Sequence, residues 1–578
     1  MSRLDFGARL IAPMSTQFRL WAPEAQRVAV VLPRGEHAMQ RDAQGIFSAC
    51  VAADAGDAYK FRIDNDTMVP DPASRLQRGD VHDESVITDP DYGWEYEAWQ
   101  GRPWHETIIY ELHVGACGGF AGVTAQLPRL AALGVTAIEL MPIGDFPGRH
   151  NWGYDGVLIY APDTAYGSIA ELKALIDTAH GLNVQVFLDV VYNHFGPDGN
   201  YLNVYARSFF RADTPTPWGN AIDFSRPQVR EFFIQNALYW LQEYRFDGLR
   251  FDAVHAIADP EFLRELASQI RGALPNRHVH LVLENEHNDS SLLREAPAKP
   301  GFDAQWTDDW HHCVHVLLTG EREGYYEDFQ NPAEQLARCM AEGFAYQGEP
   351  SPHADGTPRG SRSAHLPSAS FVICLQNHDQ IGNRAMGERV ITLAQPHALR
   401  AATALLLLTP QIPLLFMGEE WGETRPFLYF TDHNAELGGL VRDGRRREFA
   451  RFQAFTNPAT RDEIPDPNAL ETFEASRPTP ANNDWTELYK TCLQIRATQI
   501  IPRLAGCRSA GAAALSKTAI RAAWRMNDGA VLTLAANFGA APVGCPDADD
   551  RPLFSTSMDD HTPGMLPGFT TLAWMQNP

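Results

Sequence analysis

Three carboxylic acids and two histidines stand out in this sequence because each follows closely on an apolar run. Asp189, Asn193 and His194 end one run; Arg250 and Asp252 end the next, with His255 just beyond. Glu284 and Glu286 close a third run, and His378 and Asp379 a fourth. Arg250 and Asp252 are two positions apart, so on a strand they project from one face. A guanidinium beside a carboxylate keeps it ionised, as a nucleophile requires. Carboxyls on separate runs (Asp252, Glu284, Asp379), together with two histidines, point to carboxylate chemistry on an uncharged substrate. Any one of these residues alone reads at least as well as a rim ion pair or a cap. Four such strand ends together do not, since charge at a buried rim is costly without a role.

The elements that must position these groups are legible as apolar runs of strand length at 107–114, 137–142, 184–191, 248–253, 278–283, 304–307, 370–375 and 412–417. Segments between several of them, such as 168–180 and 228–244, place apolar residues at helical spacing. Near-continuous Val, Ile and Leu fits parallel strands buried on both faces. Eight such units predict an α/β fold, a (β/α)8 barrel whose active site lies at the C-terminal strand ends, where the polar residues fall. The first stretch alternates short apolar runs, such as 18–22, 28–32 and 59–63, with turn residues, and predicts a small β-sandwich. The last returns to short β-like runs and predicts a small β-domain. The expected division is 1–95 sandwich, 96–500 barrel and 501–578 C-terminal β-domain.

Composition narrows the function classes. The 578 residues are 44% hydrophobic and 21% charged, ordinary values for globular protein. Lys plus Arg total 48 against 72 Asp plus Glu, a net charge of −24. That balance repels phosphate backbones and anionic surfaces, so neither nucleic acid nor a membrane is an expected partner. The most apolar stretch, 401–417, is broken by Pro410, Gln411 and Pro413 and reads as a buried helix followed by a buried strand. Scattered cysteines without a CxxC pair, and an N-terminus without a secretory pattern, predict reduced thiols in a cytoplasmic protein.

In order and separation, the four polar segments resemble the four conserved regions of the α-amylase superfamily, glycoside hydrolase family 13. The resemblance implies a retaining mechanism with Asp252 as nucleophile, Glu284 as general acid and Asp379 binding sugar hydroxyls in the distorted state. It implies that His194 and His378 hydrogen-bond the sugar before the scissile bond, that Arg250 fixes Asp252, and that Asp189 and Asn193 complete the set. Residues 151–155 resemble the loop whose tyrosine stacks under that sugar, which points to Tyr154. Glu286 shares a strand face with Glu284, and the family motif selects Glu284.

Segments around these motifs (18–23, 71–75, 218–220, 252–257, 305–312 and 376–384) are similar to the members that cut the α-1,4 bond next to a terminal trehalose unit and release trehalose. The implied partner is a maltooligosaccharide ending in trehalose, with no cofactor and no metal, acted on by a monomer or homodimer. The leaving-group side must then tell trehalose from maltose through polar groups left unpaired by the wrong sugar; Trp218, His255, Glu286 and Asp309 are the candidates. Branching enzymes share the sandwich, barrel and four regions, but their segment after the nucleophile usually differs from 254–257. A catalytically silent glycan-binding barrel is expected to have lost one or more of the three acids, which are all present.

Two further signals are weighed and set aside. His311, His312 and His315 have the look of a metal site, yet adjacent histidines on one short element point apart and no HExxH occurs. The 115–119 segment lacks both the GxGxxG and Walker patterns, so a tight loop is expected. Aromatic clusters at 94–104 and 306–310 fit a sugar groove and core packing about equally.

Overall fold

A computed structural model describes residues 6–64, 67–216, 218–295, 299–450, 453–549, 551–557 and 562–578. The N-terminal part is two antiparallel sheets face to face. One pairs Gly7–Ala12, Ser15–Trp21, Ile46–Val51 and Gln40–Arg41; the other is built on Gly35–Ala38, Val28–Leu32, Ala58–Ile63 and Thr67–Val69. Strand Ala58–Ile63 shows why: Tyr59, Phe61 and Ile63 are buried while Lys60 and Arg62 alternate outward.

The centre is a closed barrel of eight strands: β1 Ile109–Leu112, β2 Ala137–Leu140, β3 Gln185–Val190, β4 Gly248–Phe251, β5 His280–Leu283, β6 Ala304–Trp306, β7 Phe371–Cys374 and β8 Ile412–Phe416. Every neighbouring pair is parallel, and every strand is buried along its whole length, as the unbroken apolar runs require. Helices Ile169–Gly181 and Pro227–Gln242 fall where the helical spacing placed them. The first is started by a capping box between Ser168 and Glu171, and the second carries proline in its first turn. The 401–417 stretch is the end of helix Pro396–Leu408 followed by β8.

Of the 94–104 aromatics, Trp99 and Trp104 resolve as packing, while Tyr96 is exposed. Trp99 donates to Asp247 Oδ1 at 2.8 Å and stacks on His180, and Trp104 donates to the Ala369 carbonyl at 2.6 Å and packs on Phe187 and His280. Asp247 and His280 stand at the starts of β4 and β5, so this connector closes the mouth opposite the polar strand ends. The last part is a five-stranded antiparallel sheet, Arg508–Ser516, Ala519–Arg525, Val531–Asn537, Thr570–Gln576 and Phe554–Ser555. It is tied to helix Pro396–Leu408 by the Thr571 hydroxyl on the Ala401 carbonyl at 2.7 Å. Among the described residues no helix is long and apolar enough to cross a membrane.

Candidate active site

The polar strand ends converge on Arg250. Register pairs Asp189 of β3 with Arg250 of β4, so the two side chains leave the sheet side by side. The Nη1 of Arg250 lies 2.7 Å from Asp189 Oδ2 and 2.9 Å from Asp252 Oδ1, while Nη2 lies 2.9 Å from Glu284 Oε2. One guanidinium therefore holds three carboxyls, and its face rests 4.2 Å from the centre of the Trp306 ring. Burial opposes its charge, but Asp189, Glu284, Tyr154 and Asp252 hold it protonated. Asp252 accepts a further bond at Oδ2 from Asn193 Nδ2 at 2.9 Å. Both its oxygens face donors, the arrangement that favours a carboxylate.

Glu284 is held from a second direction. Ala253 adopts a left-handed conformation, φ 39°, which turns its N–H onto Glu284 Oε2 at 2.8 Å. A non-glycine residue is strained there and persists because its surroundings fix it. The three acids named from sequence are the more open members of the group: side-chain exposure is 13% for Asp252, 19% for Glu284 and 33% for Asp379, against 1% or less for Asp189, Arg250 and His378. A buried charged floor thus supports three carboxyls that face the cleft.

Tyr154 lies between floor and cleft. Its hydroxyl donates to Asp189 Oδ2 at 2.7 Å and meets His378 Nε2 at 2.8 Å, and its ring stacks on that of His378 with centroids 5.2 Å apart. The loop bearing it turns at Gly153, φ 103°, where a Cβ would come within 2.2 Å of the Pro142 carbonyl oxygen. His194 Nε2 donates to the Tyr154 carbonyl at 3.0 Å. Burial raises Asp189 to about 7 against the pull of Arg250. For His378, burial works against the charge, yet Asp379 and Glu111 raise it to about 9.

The alpha amylase catalytic domain profile matches residues 89–218, carbohydrate-binding module 48 (isoamylase N-terminal domain) residues 5–90, and a domain of unknown function, DUF3459, residues 507–572. Malto-oligosyltrehalose trehalohydrolase of Deinococcus radiodurans is 40% identical over 500 residues, 83% of this chain and 81% of that protein. Its namesake from Saccharolobus solfataricus is 40% identical over 505 residues, 85% of this chain and 87% of that protein. The chain belongs to the malto-oligosyltrehalose trehalohydrolase family. A 1,4-alpha-glucan branching enzyme of Corynebacterium jeikeium stands further off, 27% identical over 70% of this chain and 61% of its own. A crystal structure described as that of an alpha amylase from Salmonella typhimurium superposes with TM-score 0.93 at 42% identity, covering 99% of each chain. A Paenibacillus barengoltzii pullulanase complexed with maltotriose, 22% identical with TM-score 0.69 over 100% of this chain and 96% of that one, shares the fold.

The four residues expected from sequence to recognise the leaving group are placed unevenly. Trp218 stands half exposed on a hairpin and stacks on His194, with centroids 4.5 Å apart. His255 and Glu286 face each other on the rim, Nε2 to Oε2 3.6 Å. Asp309 departs from the expectation. It is fully buried, with Oδ1 on Arg359 at 2.9 Å and Oδ2 accepting from Asn288 and from the Ala345 and Tyr346 amides. Three donors fill Oδ2 and the Arg359 guanidinium lies against Oδ1, so the carboxyl braces loops and does not face the cleft. Its neighbour Asp308 is the one beside the acids: burial, then Glu284 and Asp379, push its carboxyl up to about 8. His311 and His315 are internal hydrogen-bonding groups, on the Leu375 carbonyl at 2.6 Å and Glu321 at 2.7 Å. Among the described residues no group of three or more His, Cys, Asp or Glu is placed to hold a metal ion. The sequence reading also missed Glu111, and it weighed Trp306 only as one of an aromatic cluster, where the structure buries it against Arg250. A charged residue inside the apolar run of β1 was the available signal for the first.

Proposed function

We propose that this chain hydrolyses the α-1,4-glucosidic bond next to the terminal trehalose unit of malto-oligosyltrehalose, with retention, releasing trehalose and a maltooligosaccharide. The carrying observation is one guanidinium that pairs Asp252 and Glu284 through its two terminal nitrogens. It draws both carboxyls to one side of the cleft, in keeping with the ~5–5.5 Å separation of retaining glycosidases and not the ~6.5–9.5 Å of inverting ones. The catalytic unit is the 96–500 barrel, flanked by the 1–95 sandwich and the 501–578 β-domain.

Asp252, held as a carboxylate by Arg250 and Asn193, attacks the anomeric carbon and forms the glycosyl-enzyme. Glu284 Oε2 is committed to Arg250 and the Ala253 N–H, which leaves Oε1 to carry the proton to the leaving oxygen and later to receive one from water. Asp379 grips the sugar as it flattens toward the oxocarbenium state over the Tyr154 ring, while His194 and His378 hold that tyrosine through its carbonyl and its hydroxyl. Trp218, His255 and Glu286 stand where the trehalose unit departs. The names of the relatives support this choice of leaving group over a maltose unit.

The test is a product assay on maltotriosyltrehalose, maltopentaose and amylose. Dominant trehalose release from the first is expected. New α-1,6 branches on amylose without trehalose would overturn the reading in favour of a branching enzyme. Asp252→Asn should lose at least about a thousandfold in turnover while still binding oligosaccharide by calorimetry.

A further inference from the structure

Beneath the three acids a second carboxylate clamps His378, and nothing in the reaction as described above uses it. Glu111 lies in β1, 1% exposed, 267 positions from its partner in sequence. Its Oε1 meets His378 Nδ1 at 2.5 Å and its Oε2 accepts the His378 main-chain N–H at 3.2 Å. The opposite edge of the imidazole faces Tyr154, Nε2 to hydroxyl 2.8 Å, and Asp379 Oδ2 at 3.3 Å.

Proton counting fixes what the ring must carry. The Tyr154 hydroxyl has one proton, and it goes to Asp189 Oδ2, which lies 2.7 Å away. Toward His378 the same oxygen can only accept, as it does from Arg250 Nη1 at 3.4 Å. His378 must therefore present Nε2–H. With a carboxylate on Nδ1, that side presents N–H as well, and the ring is an imidazolium.

We propose that Glu111 is a positioning residue that keeps His378 doubly protonated, so that Nε2–H is held on the Tyr154 hydroxyl and Asp379 while the sugar is distorted. This rests on the glycosidase reading of the site. The charged and titratable groups facing His378 are Glu111 from β1, Glu139 from β2, Asp189 from β3, Arg250 from β4, His113 and Tyr154 from the loops after β1 and β2, and its own neighbour Asp379. Arg250 and His113 oppose a positive ring. Glu139 is buried with neither carboxyl oxygen hydrogen-bonded and is pushed far up by burial, so it stands as a neutral acid and adds no compensating charge. Asp379 is a third exposed and must serve the substrate. Asp379, the stronger of the two charges, and Glu111 together raise His378 to about 9 in spite of burial, and of these the buried, fixed charge is that of Glu111.

Without that charge, a neutral His378 keeping Nδ1–H leaves a bare Nε2 against the Tyr154 oxygen. The tyrosine then turns its proton to the ring and releases Asp189. Glu111→Gln preserves shape and one acceptor but removes the charge; Glu111→Asp keeps the charge with a shorter reach. Two readouts decide. In protein labelled with 13Cε1-histidine, the resonance lost in His378→Gln is titrated in wild type and both variants. In parallel, kcat/KM and kcat are followed from pH 5 to pH 9 on whichever glucan the wild type cleaves best. Glu111→Gln, with Asp379 still in place, should lower the His378 titration by about 1 pH unit and bring the alkaline limb down with it, with a roughly fivefold loss in kcat at pH 9 and little change in KM. Glu111→Asp should restore most of the titration and the limb. An unchanged His378 titration in Glu111→Gln overturns the proposal. So does equal loss in both variants with wild-type titration. If the Gln variant does not fold, the Asp variant decides alone: a His378 titrating below about 7 there overturns it. The titration needs no turnover, so absence of trehalose release from the wild type would sink the functional reading and leave this one to be judged.

Discussion

At the scale of single residues, the site works by a division between buried charges that hold and half-open carboxyls that react. Asp308 has a foot in each group. It stands at the start of helix Asp308–Thr319, and burial with Glu284 and Asp379 nearby raises it to about 8. An acid raised on folding binds a proton that the unfolded chain releases from about pH 4 upward. Its contribution to stability is therefore most favourable below about pH 4 and erodes as pH rises toward 8. Asp308→Asn removes that erosion. The melting temperature of the variant relative to wild type should become more positive from pH 5 to pH 8, by calorimetry. An equal difference at both pH values would contradict the placement. The sequence pointed to Asp309 instead, because consecutive positions at a helix start differ by about 100° in direction and only the packed loops decide which one faces the cleft. Asp252, Glu284 and Asp379 were legible because each ends its own apolar run. Glu111 was not, since its partner is brought to it only when β1 pairs with β8 and closes the barrel.

At the scale of elements, the runs of Val, Ile and Leu were enough to place the strands, as at 184–191 for β3 Gln185–Val190, because a strand buried on both faces is mostly apolar, and its few polar residues, such as Asp189, belong to the site. Loops carry no such pattern. Yet the loop 151–155 decides where the sugar platform lies, and its turn depends on Gly153. The left-handed φ of 103° and the 2.2 Å approach to the Pro142 carbonyl leave no place for a methyl group. Gly153→Ala must push Tyr154 off both Asp189 and His378. A displacement of about 1 Å at a positioned group costs on the order of a hundredfold in rate, so kcat/KM should fall by at least that much. Gly272→Ala is the control. That position lies within helix Pro260–Ala273 with nothing near the added Cβ, and it should leave activity unchanged while raising stability by about 0.5–1 kcal/mol. Similar losses of activity in both variants would mean that Tyr154 is not what the loop secures.

At the scale of the whole molecule, charge separates the substrate classes that the barrel fold by itself leaves open. The chain carries a net charge of −24, so its surface field repels an anionic ligand and neither draws nor repels a neutral one. Salt screens such a field within about 10 Å at ~0.1 M. Inside the site, the contacts that matter are short and buried: Arg250 on Asp189, Asp252 and Glu284, and Glu111 on His378. Pairs like these are screened far less than exposed ones. Both arguments give one outcome for an uncharged oligosaccharide. The kcat/KM for maltotriosyltrehalose should change by less than about twofold between ~20 mM and ~500 mM NaCl. A phosphorylated sugar acted on by the same site would behave differently, because added salt lifts the repulsion from the acidic surface and the rate rises with ionic strength. Rates measured at several salt concentrations on the glucan and on a phosphorylated analogue of similar length therefore test the class of substrate through the field of the entire chain. A steep salt dependence on the neutral glucan would mean that the working site lies in charged surface and not over the buried floor of Arg250.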